Sequence, residues 1–199
     1  MIKYIIIIFA VLFLEASVAS LFRITSGSME DTLLIGDRLV VLEYWYGIKI
    51  PISDYVIFHG REPARGDILF FRNPQNPNET TVKRCVAVGG QTVQIRAKEL
   101  FVDGVEIPLP PRGKHADPSI FPRNTSERDF LERVTVPDST IFVLGDNRDF
   151  SGDSRVWGFL PKKNLIGKAW IIAWSFDPSV PWKEYKRKLR QDRMFMRVK

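Results

Sequence analysis

The chain has 199 residues and a formal net charge of +6, with one cysteine and two histidines. This length can bury one sizeable core, and a single cysteine excludes an internal disulfide. The charge is concentrated in the segment 183–199, whose eight basic and two acidic residues alone give +6. Such a segment is typical of a solvated tail, of contact with anionic lipid, or of nucleic-acid binding.

The first predicted element is an apolar segment at residues 4–22. Its 19 residues would form a helix of about 28 Å, close to the thickness of a bilayer core. Glu15 would cost roughly 2.5–3.5 kcal/mol inside such a span. A cleaved signal peptide is the alternative, because Ser17-Val18-Ala19 fits a small-x-small cleavage site. We expect an uncleaved membrane anchor over residues 1–22.

After the anchor, the sequence predicts short β-strands joined by turns. The predicted strands are 22–25, 38–41, 68–71, 80–82 continuing through Lys83, 92–95, 100–105, 134–136 and 140–144. A Pro-rich, polar stretch at 108–131 is expected to be an irregular insertion with a short helix near 127–131. Residues 23–182 are therefore predicted to form one all-β domain, mostly antiparallel and barrel-like, followed by the basic tail 183–199.

Ser28 is a candidate nucleophile, because it lies in a small, Gly-flanked turn directly after the apolar segment. A serine hydroxyl needs a neighbouring base to remove its proton. Neither His59 nor His115 lies in a stretch that looks like a site. Lysine is the other known partner of serine, and Lys83 follows a short predicted strand. Taken alone, Lys83 is better interpreted as a surface lysine on a strand.

A second polar stretch, 145–155, lies between apolar segments. It contains three aspartates, two serines and two arginines. A turn held by its own Asx hydrogen bonds is one interpretation. A dense polar loop between two buried segments indicates, alternatively, the wall of a functional site.

Four motifs, in this order, resemble those of the type I signal peptidases. They are Ser-Gly-Ser-Met-x-x-Thr-Leu-x-x-Gly-Asp at 26–37, Arg-Gly-Asp-Ile-Leu-Phe-Phe at 65–71, Val-Lys-Arg at 82–84 and the polar loop at 145–155. The resemblance covers most of residues 20–176. It implies a membrane-bound serine endopeptidase that removes signal peptides from exported preproteins by cleaving after Ala-x-Ala-like small residues.

The resemblance also implies a location and partners. The location is the cytoplasmic (inner) membrane, with a single span and the catalytic domain on the extracytoplasmic side. The partners are exported preproteins, the lipid bilayer and the secretion translocon, and no nucleic acid is expected. No metal and no cofactor are implied.

Carried over residue by residue, the resemblance implies that Ser28 is the nucleophile and Lys83 the general base. Ser26 would help the main-chain amide of Ser28 to bind the oxyanion. Ser151 would accept or donate a hydrogen bond at the lysine amine and orient it. An ordinary lysine has a pKa of about 10.4, so a base that works near neutral pH needs burial to lower that pKa by about 3 units.

The remaining implied roles concern the polar loop. Asp153 and Arg155 would form a supporting ion pair, and Asp146 would brace the same loop. A carboxylate against Lys83 would raise the pKa of the lysine. We therefore expect Asp153 to face Arg155 and the neutral Ser151 to be the lysine's partner. Apolar side chains near Lys83 would supply its burial, and the candidates are Val82, Val86, Phe70 and Phe71.

Several departures from the family pattern and three alternatives remain open. Thr25 and Asp31 stand where the family usually has prolines. The alternatives are a specialised peptidase for one pilin-like or secretion-system substrate, a relative of the self-cleaving repressors, and a membrane-anchored binding module with an inactive dyad. Removing residues from Lys183 onward is expected to abolish a binding module and to leave a peptidase active.

Overall fold

The computed structural model describes residues 19–49, 56–123 and 125–199, and within these ranges the fold is built from short strands. The strands are β1 Ala19–Arg23, β2 Asp37–Leu42, β3 Gly47–Lys49, β4 Val56–His59, β5 Ile68–Arg72, β6 Thr80–Val88, β7 Thr92–Arg96, β8 Glu99–Val102, β9 Val105–Ile107, β10 Leu131–Thr135, β11 Thr140–Leu144, β12 Leu160–Pro161 and β13 Leu165–Ser175. The helices are single turns, namely α1 Ser154–Trp157, α2 Tyr185–Lys188 and the 3-10 turns Glu43–Tyr46, Lys162–Asn164, Trp182–Glu184 and Gln191–Arg193. The predicted mostly-β fold is confirmed.

The largest sheet has seven strands in the order β1-β2-β13-β5-β6-β11-β12, and all of its neighbouring strands are antiparallel. A four-stranded sheet has the order β10-β7-β8-β9, and β3 pairs with β4. The pairing of β13 with β2 and with β5 is interrupted by bulges, as is the pairing of β11 with β6. Because bulges bend and twist a strand, the large sheet curls.

One face of this curled sheet carries the core that positions the candidate site. In β2 the side chains alternate between buried and half-buried positions, as expected for a strand with one face on a core. Met29 and Leu33 follow β1 and are fully buried in the same cluster as Leu39, Phe70 and Ile172. The turn that carries Ser28 is therefore fixed to the core immediately on its C-terminal side.

The beginning of the described chain differs from the prediction. Ala19–Arg23 forms strand β1 and pairs with β2, so the expected anchor cannot extend as a helix through residue 22. The alternation of exposed and half-buried side chains in β1 explains why an edge strand is formed there. Residues 1–18 lie outside the described residues, and among those described no helix is long and apolar enough to cross a membrane.

The strands β3, β4, β12 and β13 were not predicted, and two predicted elements differ from the structure. The strand expected at 100–105 is divided into β8 and β9 by a turn in which Asp103 and Gly104 both have positive φ. The short helix expected near 127–131 is wrong, because the chain turns there and β10 begins at Leu131. In the described part of 108–130 no named helix or strand occurs.

The basic segment 183–199 is not a solvated tail. Leu189 forms a β-bridge with Phe176, and Arg197 forms one with Ile171, so the segment covers the part of β13 that β5 leaves unpaired. Met196 and Val198 pack against the first core cluster. Deleting this segment is therefore expected to damage the peptidase domain, contrary to the expectation from sequence.

A buried ion pair secures the segment. Arg193 donates from Nη2 to Asp37 Oδ2 at 2.7 Å and to the carbonyl oxygen of Thr32 at 3.0 Å. Arg193 is 7% exposed and Asp37 is fully buried. The C-terminal segment thus holds the stretch that follows Ser28.

We expect Arg193→Met to lower the free energy of unfolding by about 3–5 kcal/mol, because it leaves the Asp37 carboxylate buried without its partner. The measurement is urea unfolding of the detergent-solubilised chain. Arg187→Met is the matched control, because the exposed Arg187 pairs only at the surface with Glu184 and should change stability by less than about 0.5 kcal/mol. Equal effects of the two variants would contradict the account.

Candidate active site

The structure brings Ser28 and Lys83 together. Ser28 lies in the turn between β1 and β2, and Lys83 lies in the middle of β6. Lys83 Nζ donates to Ser28 Oγ at 2.7 Å and to the carbonyl oxygen of Val82 at 3.1 Å. Ser28 is 8% exposed and Lys83 is 3% exposed. When the amine is neutral, its lone pair can accept the hydroxyl proton across this short distance.

Burial lowers the pKa of Lys83 to about 8. The negative charges of Asp153 and Glu79 oppose this shift, and the positive charge of Arg155 supports it. Leu69 lies opposite Lys83 in the pairing of β5 with β6. Because side chains two residues apart on a strand share a face, the apolar groups on the lysine's own face are Leu69, Phe71 and Cys85, whereas Val82, Val86 and Phe70 belong to the other face.

Asn147 fastens the turn that carries the nucleophile, and sequence analysis did not single it out. Its main-chain amide donates to the carbonyl oxygen of Ser28 at 3.1 Å. Its side-chain Nδ2 donates to the carbonyl oxygen of Gly27 at 3.3 Å. The only available signal was its position inside the polar loop 145–155.

Asp146 forms the centre of a buried network. It accepts from Arg84 Nε and Nη2, both at 2.7 Å, and from the Thr32 hydroxyl at 2.6 Å. Arg84 is next to Lys83 on β6, and Thr32 is in the turn after Ser28. The residue expected to brace its own loop therefore joins three segments, those of the polar loop, β6 and the nucleophile turn.

Asp153 faces Arg155, as expected. Arg155 donates from Nε to Asp153 Oδ1 and from Nη2 to Asp153 Oδ2, each at 2.8 Å. Asp153 also accepts from the main-chain amide of Gly145 at 3.0 Å. Both carboxylate oxygens of Asp153 are thus engaged by Arg155, and the bond from Gly145 joins the two ends of the polar loop.

Ser151 does not make the expected contact, and Ser26 lies beside the nucleophile. In the described chain Ser151 Oγ is buried and has no hydrogen-bond partner, so its predicted bond to the lysine amine is wrong for this structure. Lys83 Nζ donates instead to Ser28 Oγ and to the carbonyl oxygen of Val82. Ser26 Oγ lies 3.4 Å from Ser28 Oγ and is exposed, so it can turn toward an atom that binds there.

A cleft of about 740 Å³ contains the pair. Ser28 and Lys83 form part of its wall, together with the apolar side chains of Phe22, Phe70 and Trp157. The open side gives an extended segment of another chain access to Ser28. Polar side chains, among them Glu30 and Asn73, also line the cleft, and a concave surface of this kind is the usual form of a binding site.

Asp31, one of the departures from the family pattern, adopts φ 71°. Proline is restricted to φ near −65°, so this turn has a backbone that the proline usual in the family could not adopt. Aspartate is one of the few residues besides glycine that enter the left-handed region readily. The nucleophile turn of this chain therefore has a different backbone conformation at residue 31 from one that contains proline there.

Comparison with known proteins identifies the family. The sequence model of the family described as "Signal peptidase, peptidase S26" matches residues 1–174. The chain belongs to this family. Signal peptidase I of Pseudomonas aeruginosa is 32% identical over 203 residues, which cover 87% of this chain and 72% of the relative. Signal peptidase I of Aquifex aeolicus is 31% identical, covering 85% of this chain and 81% of the relative.

A crystal structure of a signal peptidase I from Enterococcus faecalis V583 is also similar. It is 31% identical, covers 54% of this chain and 97% of its own, and superposes with a TM-score of 0.43. Members of the family are serine endopeptidases, that is, hydrolases.

We expect Gly145→Ala to lower kcat by at least about tenfold, because small misplacements of reacting groups are costly. A Cβ at this position would lie 2.3 Å from Ser151 Oγ and 2.5 Å from the carbonyl oxygen of Ser28. Gly152→Ala is the matched change in the same loop, where a Cβ meets no atom within 4 Å, and its loss should be much smaller. Steady-state cleavage kinetics measure both, and equal losses would contradict the geometry.

Proposed function

We propose that Ser28 is the nucleophile and Lys83 the general base of a signal peptidase that cleaves exported preproteins. The observation that supports this most strongly is the 2.7 Å contact between Lys83 Nζ and Ser28 Oγ in a buried position. Lys83 takes the hydroxyl proton while Ser28 Oγ attacks the scissile carbonyl. The protonated lysine then gives a proton to the leaving amine, and water hydrolyses the acyl-enzyme.

The oxyanion of the tetrahedral intermediate would be bound by the main-chain amide of Ser28 and by the hydroxyl of Ser26. Ser26 Oγ is exposed and close to Ser28 Oγ, which supports this role. A single well-placed donor contributes about 3–4 kcal/mol to lowering the barrier. Asp146, Asp153 and Arg155 would hold the segments around Ser28 and Lys83 in place.

The proposed substrate is a preprotein with Ala-x-Ala-like residues before the scissile bond. The cleft next to Ser28 is lined in part by the apolar side chains of Phe22, Phe70 and Trp157, which supports contact with apolar residues of a substrate. The relatives named above are signal peptidases, and removal of signal peptides is the function of the family.

The family is membrane-associated, and we propose that the apolar segment at the start of the chain serves as a membrane anchor. The outer face of the large sheet supports contact with lipid. On it Leu21, Val40 and Ile171 are opposite one another in neighbouring strands, and Leu21 is 47% exposed. Arg23 is paired with Arg38 in the next row, where anionic headgroups would be attracted.

This arrangement would place the catalytic domain on the extracytoplasmic face of the cytoplasmic membrane, beside the apolar segment of a substrate in the same bilayer. The secretion translocon, which delivers such substrates, is the further partner we propose.

The test is cleavage of a preprotein with an Ala-x-Ala site by the detergent-solubilised chain. We expect the unaltered chain to cut at that site, and Ser28→Ala and Lys83→Ala each to abolish cutting. Cleavage that survives either substitution would overturn the assignment of the dyad. A folded chain that cuts a single substrate and not this preprotein would favour the specialised peptidase. A folded chain that binds preproteins without cutting them would favour the binding module.

The pH dependence of kcat/KM gives a second prediction. Only the neutral amine is a base, so activity should rise with pH and reach half its maximum near pH 8, the pKa of Lys83. The charge of Glu79 raises that pKa, so Glu79→Gln should lower the midpoint by about 0.2–0.5 pH unit. Glu106→Gln on β9 is the control and should not move it. A midpoint that rises in Glu79→Gln would contradict the electrostatic account.

A further inference from the structure

We propose that Lys114, in the irregular insertion, is a positioning residue that clamps the turn carrying Ser28. This inference rests on the proposed function of Ser28 and assigns the insertion a role in the same reaction. Lys114 is remote in sequence from both members of the dyad. Three features of its surroundings support the role.

First, the main chain of Lys114 is fixed to the polar loop. Its amide donates to the carbonyl oxygen of Asp146 at 2.9 Å, and its carbonyl accepts from the amide of Arg148 at 3.0 Å. These bonds form a parallel β-bridge between Lys114 and Asn147. The side chain of Lys114 therefore extends from a backbone that moves with the residue that fastens Ser28.

Second, the residues after Lys114 are held by the buried carboxylate of Asp149. That carboxylate accepts from the amide of Asp117 at 2.8 Å and from Lys98 Nζ at 3.1 Å, and His115 Nδ1 lies 3.3 Å from it. Asp149 belongs to the polar loop 145–155. The insertion is thus joined to the loop at two places, and Lys114 lies at the first of them.

Third, the Lys114 ammonium lies between two acidic side chains of the nucleophile turn. Its Nζ is 3.0 Å from Glu30 Oε2 and 3.0 Å from Asp31 Oδ2. These contacts raise the pKa of Lys114, so the amine stays charged at the pH at which Lys83 works. Asn147 Nδ2 also reaches Glu30 Oε2, at 3.4 Å.

The clamp addresses a specific weakness of this turn. Glu30 and Asp31 are adjacent in this turn and carry the same charge, and both side chains are about half-exposed. Without a cation between them, the two carboxylates repel each other and the turn relaxes. Lys83 stays in place because β6 is paired on both sides, so Ser28 would move relative to its base.

The expected result is a loss in the chemical step with little change in substrate binding. We expect Lys114→Met to lower kcat by about three- to tenfold and to change KM by less than about twofold. Active sites are counted with a serine-directed acylating reagent, so that kcat refers to intact sites only. Lys114→Arg should restore kcat to within about twofold of the unaltered chain, because it keeps the charge. Lys186→Met, at an exposed position on α2, is the matched control and should be neutral.

Salt gives a result that general loss of structure would not produce. Half-exposed ion pairs are screened by salt, so raising sodium chloride from about 0.05 M to about 0.5 M should lower kcat of the unaltered chain and have little effect on Lys114→Met. Asp31→Asn keeps a residue that tolerates the left-handed backbone and removes one acid. It should lower kcat by about twofold and have no additional effect in Lys114→Met.

The inference is overturned if kcat per active site in Lys114→Met stays within twofold of the unaltered chain, or if Lys114→Met keeps the full salt dependence. If Lys114→Met does not fold, the kcat of Asp31→Asn is the test, and a kcat equal to that of the unaltered chain overturns the inference. Failure of the proposed function is a separate result, because cleavage would then persist in Ser28→Ala. If cleavage is lost in Ser28→Ala but unaffected in Lys114→Met, the assignment of Ser28 and Lys83 stands and only the proposed role of Lys114 is wrong.

Discussion

A charged ammonium group is costly in a protein interior, and the organisation of this molecule around Ser28 depends on Lys83 being buried there. Burial lowers the pKa of Lys83 to about 8, so that a substantial fraction of the amine is neutral near physiological pH. A carboxylate in contact with the amine would reverse this effect, and the nearby Asp153 is instead occupied by Arg155. The ion pairs of the site therefore surround the lysine without touching it.

The geometry of the pair is maintained by segments far apart in sequence. Strand β6 fixes Lys83 between β5 and β11, whereas Ser28 lies in a turn with little regular structure of its own. That turn is held from the core by Met29, from the polar loop by Asn147 and from the C-terminal segment by Arg193. Each of these contacts constrains the position of the nucleophile relative to its base.

The sequence predicted the parts of the molecule that depend on local pattern. Alternating apolar residues predicted most of the strands, and the spacing of four motifs predicted the family and the Ser28–Lys83 pair. Contacts between distant segments could not be predicted in this way. The role of Arg193 required knowing that the basic segment packs along β13, and that of Asn147 required the position of its amide. The predicted bond between Ser151 and Lys83 was wrong, because a role implied by family resemblance does not fix which group a hydroxyl meets in this fold.

The most direct test of the central claim is a titration of Lys83 itself. The lysine amines of the detergent-solubilised chain can be labelled with ¹³C-methyl groups and followed by NMR over pH, with Lys83→Arg to assign the resonance. The account predicts one lysine with a pKa near 8, well separated from the surface lysines. A Lys83 resonance that titrates with the surface lysines, near the ordinary value of about 10.4, would contradict it.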